Sequence, residues 1–105
     1  MYDYEATVLR VIDGDTCDAE IKLGFNISIK VRIRMSGINA PEKRTQKGKE
    51  VKKWLQDKIE GKDIILISEG LGKYGRCLGI IKLENININE LMLENDLAKP
   101  YKGLL

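Results

Sequence analysis

Three short stretches hold the residues able to do chemistry: "VIDGDT" (Val11–Thr16), "IRMSGINAPE" (Ile33–Glu42) and "GKYGRCLGII" (Gly72–Ile81). They supply the acids Asp13, Asp15 and Glu42, the amide Asn39, the arginines Arg34 and Arg76, and Lys73 with Tyr74. Asp13-Gly14 reads as a turn, because glycine accepts positive φ without steric cost. That leaves Asp15 without a structural job. The chain has no histidine. Ser-His-Asp and Cys-His nucleophilic machinery are therefore excluded, as is the usual general base. Two cysteines, Cys17 and Cys77, are too few for a structural zinc site without histidine. Their apolar surroundings read as two buried free thiols, and a disulfide stays open without being indicated. What remains is Asp, Glu, Arg, Lys and Tyr, with or without a hard metal ion.

The elements that must position these residues are legible in the periodicity. Ala6–Val11 is a β-rich run. Thr16–Leu23 alternates, with Cys17, Ala19, Ile21 and Leu23 on one face. Ile27–Met35 alternates as strictly, with Ile27, Ile29, Val31, Ile33 and Met35 apolar and Ser28, Lys30, Arg32 and Arg34 polar. Gly24 and Phe25 form the turn between these strands, so the first three strands make a meander. Val51, Trp54, Leu55 and Ile59 then fall at helical spacing, predicting a helix over about Thr45–Ile59 that stops near Gly61. Ile64–Ile67 and Cys77–Leu83 read as further strands. Asn87 and Glu90 form a capping box for a second helix, with Ile88, Leu91 and Met92 apolar. Five strands and an inserted helix predict a mainly β, α+β fold: a five-stranded OB-fold barrel with two helices packed on it.

A length of 105 residues and a 43% hydrophobic share suit one domain, residues 1–105, with one core. No apolar run is long enough to cross a bilayer, so no membrane partner is expected. The N-terminus shows no secretory signal, so we expect a cytoplasmic protein unless a leader lies outside this sequence. A monomer is expected. From Lys43 to Lys62 there are eight Lys or Arg against three acids. That segment could attract a polyanion, but charge alone favours a solvated helix face.

The ordered pieces "VIDGDT", Arg34 followed by "INAPE", "KYGR" (Lys73–Arg76), and Leu97–Ala98 leading to Tyr101 resemble the staphylococcal nuclease family over nearly the whole chain. The resemblance implies the same barrel with helices. It also implies calcium-dependent hydrolysis of single- or double-stranded DNA and RNA, with little sequence specificity and 3′-phosphate products. By the same resemblance Asp15 would be the main carboxylate ligand of calcium. Asn39 and the Ala40 carbonyl would be further ligands, and Asp13 an acid near the ion. Arg34 and Arg76 would grip the phosphate and its transition state, and Glu42 would position or deprotonate the attacking water. Lys73, Tyr74 and Tyr101 would contact the nucleotide. The chemistry is coherent: calcium takes oxygen ligands and acts as a Lewis acid, arginine forks match phosphoryl oxygens, and a carboxylate can orient water without histidine.

Several positions depart from the family. Asn39 stands where aspartate is usual, so the site loses a negative charge and weaker calcium binding is expected. Ala40 replaces a common threonine, which matters little if that position offers its backbone carbonyl. The loop after Glu42 is short, and the chain stops soon after Tyr101, so the family's last helix is expected to be missing or truncated. The alternative function is a catalytically weak or inactive OB-fold module that binds nucleic acid or protein. Calcium separates the two, because an enzyme needs the ion for turnover and a binder does not. A shift of metal preference toward manganese or magnesium is a third reading.

Overall fold

The computed structural model describes residues 2–71 and 76–101. The alternating segments pair as the periodicity predicts. β1 (Tyr2–Asp13), β2 (Thr16–Gly24) and β3 (Ile27–Met35) form an antiparallel meander. β4 (Ile38–Asn39) is a two-residue strand that leads to helix α1 (Gln46–Ile59). β5 (Asp63–Leu71) returns beside β1, and β6 (Cys77–Leu83) beside β5. β7 (Ile86–Asn87), helix α2 (Ile88–Glu94) and β8 (Lys99–Pro100) complete the described order. β3 and β6 then pair in parallel, from Ile33↔Cys77 to Met35↔Gly79, and close the five strands β3-β2-β1-β5-β6 into a barrel. Closure removes the free edges that an open sheet would present.

Both expected helices form, and a side-chain cap starts each. Thr45 caps α1, its Oγ1 accepting from Gly48 N at 3.0 Å, and Asn87 caps α2, its side chain accepting from Glu90 N at 3.0 Å. α1 turns Val51, Leu55 and Ile59 onto the barrel, all fully buried. They meet Val8, Val11, Ile33, Met35, Ile38 and Leu66 in one core with Ile88 and Met92 of α2. Trp54 packs at the edge of this core under Lys58, whose Nζ stands 5.6 Å from the ring centroid.

Three expectations shift. β1 runs well beyond Ala6–Val11, because β2 and β5 supply ladder partners on both sides regardless of local propensity. The turn after β2 centres on Phe25 and Asn26, with φ of 53° and 62°, rather than on Gly24 and Phe25. Paired positive φ values are what a two-residue hairpin loop requires. The apolar face of β3 is buried only at its end: Ile33 and Met35 are inside, while Ile27 and Ile29 are exposed with Leu23 and Phe25. The β2–β3 hairpin simply outruns the barrel. Both cysteines are free, but only Cys17 is buried as expected; Cys77, at the start of β6, is half-buried. Burial pushes the Cys17 thiol up to about 12, so it is a core group rather than a nucleophile at neutral pH. No helix among the described residues is long and apolar enough to cross a membrane.

Candidate active site

A cleft of about 270 Å³ opens where the β1–β2 turn, the end of β3 and the loop after β4 meet. Asp13, Asp15, Arg34, Asn39, Ala40, Glu42 and Arg76 all line it, together with Thr16, Pro41 and Lys43. These residues are far apart in sequence, and barrel closure is what brings them together. Thr16 pairs with Arg34 across β2 and β3, so both side chains share one face. The parallel β3–β6 register sets Arg76, just before β6, beside the same face.

Asp15 is the most constrained group. It is buried, 8% exposed. Its Oδ2 accepts from Ala40 N at 2.8 Å and lies 3.6 Å from Arg34 Nη2, and its Oδ1 accepts from Thr16 Oγ1 at 3.0 Å. Burial raises its pKa above the ordinary carboxylate value, and contact with Asp13 adds to the rise. The Ala40 N–H and Arg34 act in the opposite direction and are outweighed. Asp15 is thus an under-compensated buried negative charge, the electrostatic condition in which a cation binds.

Arg34 is fixed by several partners. Nη1 donates to Met35 O at 2.7 Å, Nη2 reaches Asn39 Oδ1 at 3.4 Å, and the guanidinium stands 5.5 Å from the Tyr101 ring centroid. Tyr101 is held there because Ile38 pairs with Pro100 and Asn39 with Lys99, and Tyr101 N donates to Gly37 O at 3.0 Å. Glu42 is exposed at the cleft. Its backbone is locked: Glu42 O accepts from Thr45 N at 3.0 Å and Thr45 Oγ1 at 2.7 Å. Lys73 and Tyr74 lie outside the described residues.

Two residues that position the cleft do not announce themselves in the sequence as such. Gly48 sits buried in the first turn of α1, and a methyl there would collide with the Glu42 carbonyl. Its signal is a glycine inside a helical pattern, which needs a packing reason. Asn89 is buried on α2, where it receives Ile81 N at 3.1 Å and donates to Ser36 O at 2.8 Å and Gly79 O at 3.2 Å. It thereby anchors the segment that leads from β3 to Asn39. Its signal is an amide among the apolar positions of α2.

Gly14 corrects an expectation as well. It is not among the positive-φ residues. Its glycine is needed for space, since a Cβ would fall 2.7 Å from Ala40 Cβ and 2.8 Å from Val51 Cγ1. The close approach of the Asp13–Asp15 turn to Ala40 depends on that missing side chain.

Gly48→Ala is expected to push the Glu42 loop off α1. Any activity of the cleft that depends on the placement of Glu42 should fall at least about tenfold, because a displacement near 1 Å is costly for a positioned group. Helix content should survive. Steady-state kinetics beside circular dichroism checks this, and unchanged turnover would mean that the loop tolerates the shift.

The donor set around Asp15 suits a hard cation. It comprises the Asp15 and Asp13 carboxylates and the Asn39 amide oxygen, all oxygen donors, with Ala40 on the same wall and its N–H turned to Asp15. No cluster of three or more His, Cys, Asp or Glu that could hold a metal occurs among the described residues.

Residues 32–104 match the model of the staphylococcal nuclease homologue family. The chain is 37% identical over 95 residues to an uncharacterized endonuclease of Haemophilus influenzae, covering 90% of this chain and 51% of that protein. It is 26% identical over 109 residues to a micrococcal nuclease of Shigella flexneri, covering 95% of this chain and 60% of the relative. A staphylococcal-like nuclease of Arabidopsis thaliana is 39% identical over 72 residues, which is 69% of this chain and 22% of the plant protein. The chain thus spans less than two thirds of each of these relatives.

Proposed function

The chain belongs to the staphylococcal nuclease homologue family, and on that premise we propose that it is a calcium-dependent nuclease. It hydrolyses phosphodiester bonds in DNA and RNA with little sequence specificity and leaves 3′-phosphate ends. The observation that carries this reading is the convergence of Asp15, Arg34, Asn39, Glu42 and Arg76 on one cleft.

Each side chain has a role suited to its surroundings. Arg34, braced by Met35 O and Asn39, offers a fixed guanidinium to the phosphate oxygens, where charge accumulates as water attacks. Arg76, on the wall of the same cleft, is the second donor. Glu42 faces solvent at the cleft and orients the attacking water, taking its proton. Tyr101 lies against Arg34 and offers a ring and a hydroxyl to the nucleotide. Lys73 and Tyr74 are assigned nucleotide contacts by family resemblance.

Calcium would be held by Asp15, Asn39 and the Ala40 carbonyl with Asp13 nearby, and when bound it supplies Lewis-acid polarisation of a phosphoryl oxygen. An amide ligand contributes no charge, so the site binds the ion more weakly than a site with a third acid would.

The test is degradation of single-stranded DNA across a calcium titration with a chelator control. Cleavage that requires calcium and saturates only at about millimolar concentration supports the proposal. Asn39→Asp should move the midpoint to roughly tenfold lower calcium, and an unmoved midpoint would remove Asn39 from the ligand set. A folded protein that binds oligonucleotide in chelator but never cleaves would be the binding module instead.

A further inference from the structure

The β2–β3 hairpin runs on past the barrel, and its tip keeps an apolar surface that the fold does not use. Ile21 is the last buried residue of β2, and Ile33 the first of β3. Beyond them Leu23, Ile27 and Ile29 are half-exposed, and Phe25 is 98% exposed. Phe25 also holds a φ of 53° as the first of the two turn residues. Glycine, asparagine and aspartate suit that position, and a bulky side chain there is strained. A strained aromatic that packs on nothing in its own fold points to a partner outside it.

Charge and shape select the partner. No Asp or Glu occurs between Ile21 and Ala40. Lys22 and Lys30 flank the apolar tip, one on each strand and both exposed. The acids nearest in register lie further in: Glu20 stands across from Lys30, and Asp18 is held by Arg32 at 2.8 Å. Glu5 and Asp63 share a shallow hollow with Lys22. Neither lysine forms an ion pair among the described residues. The tip is also small and convex. Four side chains, three of them already half covered, fall short of the roughly 800 Å² per partner of a stable protein interface. A second copy would bring its own cations against these, whereas an anionic surface complements them.

We propose that this tip docks on an anionic lipid bilayer. Leu23, Phe25 and Ile27 enter the boundary between headgroups and acyl chains, and Lys22 and Lys30 meet the lipid phosphates and carboxylates. Ile27 and Ile29 lie about 7 Å apart along β3, within the roughly 5–10 Å that apolar surfaces of this kind penetrate. A tip that lies in this boundary crosses nothing, so no bilayer-spanning run is needed. Apolar insertion and lysine attraction are each weak, and together they give reversible adsorption. Arg34 lies seven residues along β3 from Ile27, about 23 Å, so the candidate active site stays in solution. The proposal does not depend on the nuclease reading.

The test is flotation of the full chain with vesicles, in chelator and at about 0.1 M salt. Phosphatidylserine–phosphatidylcholine vesicles are compared with phosphatidylcholine alone. Chelator removes calcium bridges between acids and lipid. The parent should float with the first, and at least about tenfold less with the second. Phe25→Asn leaves a residue that suits the turn, so folding is retained, and partitioning should fall at least about tenfold. Lys22→Gln/Lys30→Gln should lower it about tenfold on the anionic vesicles. Lys49→Gln/Lys58→Gln on α1 removes the same charge outside the hairpin, and should change it less than about twofold. A thermal melt of each variant checks folding.

Absent flotation of the parent, unchanged flotation of either hairpin variant, or equal losses in the two lysine variants would overturn the proposal. So would a dimer in sedimentation equilibrium that Phe25→Asn dissolves, which would make a second copy the occupant.

Discussion

Arg34→Gln is expected to lower turnover about a thousandfold, with a much smaller change in KM. The size follows from how the guanidinium is held. Met35 O, Asn39 Oδ1, the Asp15 carboxylate and the Tyr101 ring leave its side chain only 12% exposed, so it need not reorganise when charge builds on the phosphate. A preorganised donor of this kind acts more on the transition state than on the bound substrate. Arg34→Lys should not restore the rate, because a lysine cannot reproduce the two-pronged geometry. Folding is also expected to weaken by about 1 kcal/mol, since Asp15 loses its cationic neighbour. The measurement is single-turnover cleavage beside a thermal melt. Turnover within about tenfold of the parent at matched folding would take Arg34 out of the mechanism.

Asp15→Asn is expected to reduce cleavage to background while making the protein more stable, by about 1 kcal/mol. Asp15 is a carboxylate whose folded-state pKa is raised, with burial as the leading cause. The folded state therefore takes up a proton more readily than the unfolded chain. Ionised Asp15 costs stability at neutral pH; the cost vanishes below the ordinary carboxylate value and grows as pH rises through the raised one. An asparagine can still accept from Ala40 N without carrying that charge. The stability gap between variant and parent should therefore close on acidification. Calcium should raise the melting temperature of the parent and not of the variant. A variant that melts below the parent at neutral pH would show that the contacts with Ala40 N and Arg34 outweigh burial. Retained calcium stabilisation would remove Asp15 as the principal ligand.

The sequence by itself determined a good deal. Strict alternation in Thr16–Leu23 and Ile27–Met35 specified two strands of the meander, because a residue pair repeats its direction every second position in a pleated chain. The helical spacing of Val51, Leu55 and Ile59 specified the first helix, and Asn87 specified where the second begins, because a side-chain oxygen at that position satisfies an otherwise orphaned backbone N–H. The candidate residues stood out through residue type and the order of short motifs, with no long-range information. The family followed from the same motifs.

Only the tertiary structure decided how those residues act on one another. The contact of Asp15 Oδ2 with Ala40 N spans the β1–β2 turn and the loop after β4, and it exists because Gly14 leaves room for Ala40 and Val51. Gly48 and Asn89 were marked in the sequence as unusual residues for their helices, but the partners that give them their roles, Glu42 for the first and Ser36 and Gly79 for the second, were not. The reach of β1 and the exposure of Ile27 and Ile29 were likewise hidden, because alternation tells which residues share a face and not whether anything covers it.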